Sequence, residues 1–121
     1  MLLGVRGAVT VAENEASAIH HAIKQLLETL LYKNQIHADQ IASVFFTITP
    51  DLTVLNPAQA AREVLIDWQT VPMVCSQEPI IKGMLPKCIR ILIQWHNDQP
   101  NVSPTPVYLG EAQQLRPDLP H

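Results

Sequence analysis

Four arginines are the side chains of this chain whose positions most strongly indicate chemistry. Arg6 and Arg90 interrupt apolar runs, Arg116 stands between a leucine and a proline, and Arg62 lies near the end of a short alanine-rich segment. A guanidinium keeps its charge at physiological pH, so apolar surroundings cannot hold it without a partner. That partner is either an acidic side chain or an anionic ligand, and arginine suits carboxylates because it can bind both oxygens at once.

Arg90 is the most informative of the four because it lies in the longest predicted strand, residues 87–95. Two-residue alternation puts four apolar side chains on one face of this strand and a mixed set on the other. The apolar set is Ile89, Ile91, Ile93 and Trp95, and the mixed set is Cys88, Arg90, Leu92 and Gln94. Arg90 is therefore predicted to point into a pocket or an interface rather than into the core. An interface salt bridge and a bound ligand both stay open as explanations.

Glu78 is an available protein partner for Arg90, because it directly follows the predicted strand 70–77. Counting by two puts Glu78 and Cys75 on opposite faces of that strand, unless a bulge near Pro79 shifts the register. A lone glutamate beside a loop is more often solvated than functional. The interest of Glu78 therefore depends on Arg90.

The remaining candidates each have an ordinary structural explanation. Arg6 is followed by a glycine, which lets a ligand or another backbone approach closely, but a buried ion pair is equally consistent. Arg62 fits a solvated helix face, Arg116 could pair with Asp118, and Tyr108 could simply pack on an edge strand. Together, in a chain with few other charges, they indicate a site for a small polyanionic molecule.

The sequence contains no arrangement typical of a metal site, an activated nucleophile or a bound cofactor. The neighbours His20 and His21 would face different directions on a helix, and no Ser-His-Asp, Cys-His, G-x-G-x-x-G or P-loop pattern is present. Cys75 and Cys88 fit packed thiols better than nucleophiles. Because they lack C-x-x-C spacing, they indicate a reduced, cytoplasmic protein. We therefore predict no metal and no cofactor.

Composition argues against several classes of protein. The net charge of -3 and the pI near 5.9 leave no basic patch for nucleic acid. No apolar run approaches the roughly 18–20 residues of a membrane span, and the N-terminus lacks the pattern of a signal peptide. Only 16% of the residues are charged, which favours an oligomer whose surface is partly covered by other subunits.

The elements predicted to position these side chains form a single α+β domain over residues 1–121. Its mixed sheet packs against one long and one short helix, in the order β-α-β-α-β-β-β. Asn14 is the predicted cap of the long helix, and Asn56 caps the short helix, with Gln59 completing a capping box. The predicted strands are 1–9, 43–49, 70–77, 87–95 and 107–109, the predicted helices are 15–33 and 57–65, and 117–121 is a mobile tail.

Several short stretches, taken in order along the chain, resemble the small, monofunctional, trimeric chorismate mutases of mixed α/β fold, which differ from the all-helical class. Each stretch is unspecific alone, but their combination over nearly the whole chain is specific. They are Gly4–Ala8, Thr49–Leu52, Ala61–Glu63, Val71–Pro72, Cys75–Glu78, Lys87–Arg90, Val107–Leu109 and Leu115–Leu119.

The resemblance implies a pseudo-α/β-barrel homotrimer with active sites at its subunit interfaces. It also implies the conversion of chorismate to prephenate in phenylalanine and tyrosine biosynthesis. This reaction is an intramolecular rearrangement of a dianion, so it needs neither a nucleophile nor a cofactor.

The resemblance further implies a role for each matching side chain. Arg90 would reach the ether oxygen of the breaking bond, and Glu78 and Cys75 would hold the ring hydroxyl. Arg6 and Tyr108 would bind a carboxylate. The residues expected to line or close the mouth of the site are Arg62, Leu115 and Arg116.

The chain departs from the family pattern at two positions. Asn56 stands where an aromatic residue is usual beside the site, and Val74 stands where a threonine is usual before the cysteine. Two other functions stay open: an imine or enamine deaminase with a related trimeric architecture, and a non-catalytic module that binds a carboxylate metabolite. The pairing of Cys75 with Glu78 and the Leu115–Leu119 segment favour the mutase.

Overall fold

A computed structural model describes residues 1 to 121 and contains five β-strands and two α-helices. The strands are β1 (Leu2–Thr10), β2 (Ile41–Ile48), β3 (Met73–Gln77), β4 (Cys88–His96) and β5 (Val107–Leu109). The helices are α1 (Ala16–Asn34) and α2 (Pro57–Val64), with short 3₁₀ helices at Ala38–Gln40, Ile66–Trp68 and Gly110–Leu115. The predicted α+β class and the predicted order of elements are confirmed.

The five strands form one mixed sheet with the order β3-β2-β4-β1-β5. β4 is central and antiparallel to both of its neighbours, whereas β3 runs parallel to β2 and β5 runs parallel to β1. Side chains directly opposite one another on neighbouring strands lie on the same face. Arg90 is opposite Ala8 on β1 and Thr47 on β2, and Tyr108 on β5 is also opposite Ala8. The pairing therefore gathers these four side chains on one face.

Both helices cover the opposite face, and the main core lies between them and the sheet. The four alternate side chains of β4 from Ile89 to Trp95 are at most 3% exposed there, as the alternation predicts. We call this the core face, and we call the face that carries Arg90 the site face. On the site face only a small cluster is buried, and it consists of Ala8, Cys88, Tyr108 and Ala112.

The two helices begin differently from each other. Asn56 caps α2 as predicted, because its side-chain oxygen accepts a hydrogen bond from the Ala58 amide at 2.8 Å, although the reciprocal bond from Gln59 does not form. The predicted cap of α1 by Asn14 is wrong. The side-chain amide of Asn14 instead exchanges two hydrogen bonds with Thr53, at 2.8 and 3.0 Å.

Neither helix combines the length and apolar character that a membrane span needs.

Gly7 allows a close contact within the fold rather than the approach of a ligand. It lies on the core face of β1, next to Arg6 on the site face. A Cβ at this position would lie 2.9 Å from the carbonyl oxygen of Val107 and 3.0 Å from a methyl group of Leu30. The absence of a side chain thus lets β5 and α1 pack closely against β1.

We predict that Gly7→Ala lowers the free energy of unfolding by about 1–3 kcal/mol, because a backbone carbonyl cannot move away from the added methyl group without shifting β5. Gly4→Ala on the same strand is the matched control, since its Cβ would meet nothing closer than 3.7 Å. Urea unfolding of both variants followed by circular dichroism measures the difference. Equal stability of the two variants would contradict the packing argument.

Candidate active site

Five of the predicted site residues line one cleft on the site face. They are Arg6, Arg90, Tyr108, Leu115 and Arg116, and the cleft has a volume of about 100 Å³. A neighbouring depression of about 270 Å³ shares three of them, Arg6, Tyr108 and Arg116. Strands β1, β4 and β5 supply the first three side chains. The other two come from the segment that follows β5.

The chain returns over the site face through a turn that begins at Gly110. This glycine has a φ of 62°, which disfavours a side chain, and a Cβ there would lie 2.7 Å from the Thr10 hydroxyl. The Thr10 hydroxyl accepts a hydrogen bond from the Glu111 amide at 3.0 Å. These contacts anchor the 3₁₀ helix Gly110–Leu115 to the end of β1 and so direct Leu115 and Arg116 towards the cleft.

The arginines are not enclosed by apolar side chains within this chain. Arg6, Arg62 and Arg90 are exposed and Arg116 is half-buried, because strand and helix periodicity directs them away from the core. Arg90 therefore points away from the core, as the strand alternation predicts, and Arg62 lies on a solvated helix face. Arg6 and Arg62 have no carboxylate within ion-pairing distance, whereas Arg90 and Arg116 each have one.

Glu78 is the carboxylate beside Arg90. Its Oε1 lies 3.5 Å from the Arg90 Nε and accepts a hydrogen bond of 2.6 Å from the Thr47 hydroxyl. The Glu78 amide donates to the Ile48 carbonyl at 2.7 Å, so the β2–β3 register continues through it without a bulge. Glu78 therefore lies on the site face, as counting by two predicts.

Arg116 is held by Asp118 in a two-pronged ion pair. Its Nε lies 3.1 Å from Oδ1 and its Nη2 lies 2.9 Å from Oδ2. The hydrogen bonds of this pair raise the pKa of Arg116 and lower the pKa of Asp118. The side chains of Arg116 and Asp118 are 37% and 62% exposed, so water competes for the pair and it adds little stability.

Residues 117–121, for which mobility is predicted, lie against the cleft. Leu119 packs on the small cluster that contains Tyr108. The ring of His121 meets the ring of Tyr108 edge-on at a centroid distance of 6.2 Å, and its Nε2 is 3.0 Å from the Arg116 carbonyl oxygen. The segment therefore covers part of the wall formed by Tyr108 and Arg116.

Arg62 and Cys75 lie at the other end of the sheet. Arg62 is on α2, which packs over β2 and β3, and its neighbour Glu63 contacts His20 on α1 at 2.7 Å. That hydrogen bond lowers the pKa of Glu63 and joins the two helices. Within one chain, Arg62 is therefore separated from Arg6 by the width of the sheet.

Cys75 directs its thiol towards the core and its backbone polar groups towards the open edge of β3. Its side chain packs against the core, and burial raises the pKa of the thiol. The Pro72 carbonyl and the Glu78 amide both form hydrogen bonds with β2. In a parallel pair only every second residue of a strand bonds a given neighbour, so Cys75, which is an odd number of residues from both, does not bond β2. The amide and carbonyl of Cys75 therefore point outward, along the open edge of β3.

Two neighbours of Arg90 have no assigned role in the sequence interpretation. Thr47 is opposite Arg90 and bonds Glu78, and only knowledge of strand pairing would have revealed it. Cys88 is 2% exposed beneath the cleft, and burial raises the pKa of its thiol although the positive charge of Arg90 opposes this. No three histidine, cysteine, aspartate or glutamate side chains lie close enough to bind a metal ion.

Comparison with known proteins shows the family of this chain. Residues 2–119 match the family model described as chorismate mutase type I. The chain is 44% identical to chorismate mutase AroH of Thermus thermophilus, covering 98% of this chain and 97% of that protein. It is 40% identical to chorismate mutase AroH of Bacillus subtilis strain 168, covering 98% and 93% respectively.

The fold is likewise similar to that of a solved relative. The structure of chorismate mutase from Clostridium thermocellum superposes with a TM-score of 0.85 at 35% identity, covering 93% of this chain and 98% of the other. Nothing in these comparisons favours the deaminase or the non-catalytic module. With the fold, the cleft and the nearly full-length match in agreement, this chain belongs to the type I chorismate mutase family, a family of isomerases.

Proposed function

We propose that this protein rearranges chorismate to prephenate in the cytoplasm, as a step of phenylalanine and tyrosine biosynthesis. The observation that carries the proposal is the cleft on the site face, where Arg6, Arg90 and Arg116 converge within a chain of the chorismate mutase family. Chorismate carries two carboxylates, and a cleft lined by guanidinium groups attracts and binds such a dianion. The two free cysteines fit a reducing compartment.

Substrate binding is assigned to the cationic wall of the cleft. Arg6 and Tyr108 bind one carboxylate, because Arg6 has no acidic side chain to compete for it and Tyr108 can donate from its hydroxyl. Leu115 and Arg116 close the mouth from the segment after β5. Arg62 lines the mouth from α2 of a neighbouring subunit. Chorismate must fold into a compact chair-like shape before its ends can bond, and fixed cations favour that shape.

Catalysis is assigned to Arg90. Negative charge grows on the ether oxygen as its bond to carbon stretches, so a guanidinium held at that oxygen stabilises the transition state more than the ground state. By analogy with the loss of one oxyanion donor, this is worth about 3–4 kcal/mol. Glu78 and the outward backbone groups of Cys75 hold the ring hydroxyl. No proton transfer is required of any side chain.

The assembly proposed is a homotrimer with active sites between subunits. Phe45 and Val74, opposite each other on the site face, are 47% and 55% exposed. An uncovered apolar pair beside an open edge strand is the kind of surface that another subunit covers. A neighbouring subunit would also bring its Arg62 and Cys75 to the cleft that contains Arg6, since one chain holds these residues at opposite ends of its sheet.

The first test is turnover of chorismate by the purified protein, followed as loss of its absorbance. We expect turnover above the uncatalysed rate, and we expect Arg90→Ala to lower kcat by at least ~10²-fold because it removes charge stabilisation in the transition state. Lys24→Ala is the matched control, since it removes an exposed cation from α1 on the helix side of the sheet.

Two results would contradict these assignments separately. Absence of turnover by the unaltered protein would refute the reaction. If Arg90→Ala keeps kcat within about tenfold and only raises KM, then Arg90 supplies ground-state binding and its catalytic role is wrong.

Substitutions of Cys75 test whether its backbone amide binds the substrate. Cys75→Pro removes an amide that points to the open edge and leaves the ladder to β2 intact, a place where proline is tolerated. We expect KM to rise about tenfold, the equivalent of one hydrogen bond. Cys75→Ala, which removes only the thiol, should change KM less than about threefold. An equal loss in both variants would assign the role to the thiol instead.

Sedimentation tests the assembly. We expect a species of about 40 kDa, three times the 13.5 kDa of one chain. Arg6→Ala and Arg62→Ala should each reduce activity, and mixing the two variants after reversible dissociation should restore part of it, because some interfaces then combine two intact halves. A stable monomer at micromolar concentration, or mixtures no more active than their components, would contradict shared sites.

A further inference from the structure

Thr47 lies between the two charged side chains at the centre of the site face. It is opposite Arg90 across the β2–β4 pair, and its hydroxyl donates to the Glu78 Oε1 at 2.6 Å. We propose that Thr47 is a positioning residue, which sets the orientation of the Glu78 carboxylate and, through it, of the Arg90 guanidinium. The proposal rests on the function proposed above, which gives Arg90 and Glu78 their roles.

The hydrogen bond has a defined direction and strength. An ionised carboxylate can only accept, so the single hydroxyl proton of Thr47 must be the donated one. Bonds of this kind to a charged oxygen are shorter and about twice as strong as those between neutral groups, which agrees with the observed length. Thr47 is half-buried, and Glu78 is 22% exposed, so water competes only in part.

The two oxygens of Glu78 are made unequal by this contact. Oε1 meets both the Thr47 hydroxyl and, at 3.5 Å, the Arg90 Nε, whereas Oε2 has no partner in the chain. Oε2 is therefore the oxygen left to accept a hydrogen bond from the ring hydroxyl. Thr47 thus decides which oxygen faces the substrate.

The same contact limits how Glu78 holds Arg90. A carboxylate free to rotate would offer both oxygens to the guanidinium, the fork-like arrangement that arginine prefers. Such a bidentate contact would turn the Arg90 guanidinium away from the ether oxygen. By retaining Oε1, Thr47 keeps the Glu78–Arg90 contact long and leaves the remaining Arg90 donors for the reacting oxygen.

Thr47→Val tests this with little change of shape, because only the hydroxyl is replaced. We expect kcat/KM for chorismate to fall about tenfold, mainly in kcat, and Thr47→Ser to restore it to within about twofold. Ser43→Ala is the matched control. Ser43 lies on the same strand and face and donates a 2.8 Å bond to Gln94, away from Glu78. Its loss should leave kcat/KM within about twofold.

A double-mutant cycle separates positioning from a structural role. In a Glu78→Ala background, Thr47→Val should change kcat/KM less than about twofold, because the group that Thr47 orients is gone. Urea unfolding of each variant checks that the fold persists.

The outcomes of these measurements distinguish the positioning role of Thr47 from the proposed function. Wild-type kcat/KM in Thr47→Val, or an undiminished effect of Thr47→Val in the Glu78→Ala background, would overturn the inference while the proposed function stands. No turnover by the unaltered protein would overturn both.

Discussion

Burial of the isoleucines of β4 is the constraint on which the rest of this molecule depends. Ile89, Ile91 and Ile93 are at most 3% exposed, and each contributes about 1.5–3 kcal/mol by leaving water. A shift of β4 by one residue would expose all three and would press Arg90 against the helices without a partner. The packing that stabilises the core therefore also holds the guanidinium of Arg90 on the site face, at no separate energetic cost.

The arginines of the cleft differ in whether an acidic side chain of the protein already pairs with them. Arg6 has no acidic side chain within ion-pairing distance, so an anionic ligand would displace only water from it. Arg90 is held by Glu78 across 3.5 Å, and 53% of its side chain is exposed. An exposed pair of this kind contributes little to stability, so its value lies in orientation. The roles proposed for Arg6 and Arg90 agree with this difference, since an unpaired cation suits substrate binding and an oriented one suits charge that develops during the reaction.

Strand periodicity made part of the site predictable, because a two-residue repeat needs no knowledge of tertiary partners. The faces of β4 and of Glu78 followed directly from it. Alternation tells which side chains share a face but not what covers that face, so the partner of each arginine stayed open. Asn14 failed as a cap because its amide bonds Thr53, 39 residues away in sequence. Thr47 could not be identified without the pairing of three strands.

The separation of Arg62 and Cys75 from the cleft could not be predicted from the sequence either. The resemblance implies one site for all four residues, yet Cys75 lies on β3 and Arg62 on the helix above it, while Arg6 and Tyr108 lie on β1 and β5 at the other end of the sheet. A shared motif places residues in one site only if an assembly brings the two ends of the sheet together. The proposed assembly would meet this condition, and the uncovered apolar pair Phe45 and Val74 is the surface that we propose it covers.

The segment after Arg116 supplies Asp118, whose ion pair with Arg116 does not depend on pH near neutrality. Asp118 occupies the guanidinium of Arg116 as a substrate carboxylate would, and Arg116 lowers the pKa of Asp118. A depressed carboxyl pKa means that the pair is present above the ordinary pKa of aspartate and is lost only as the pH falls through the lowered value. Asp118 is therefore charged throughout the neutral range, so a change of pH near neutrality does not release Arg116 from the pair.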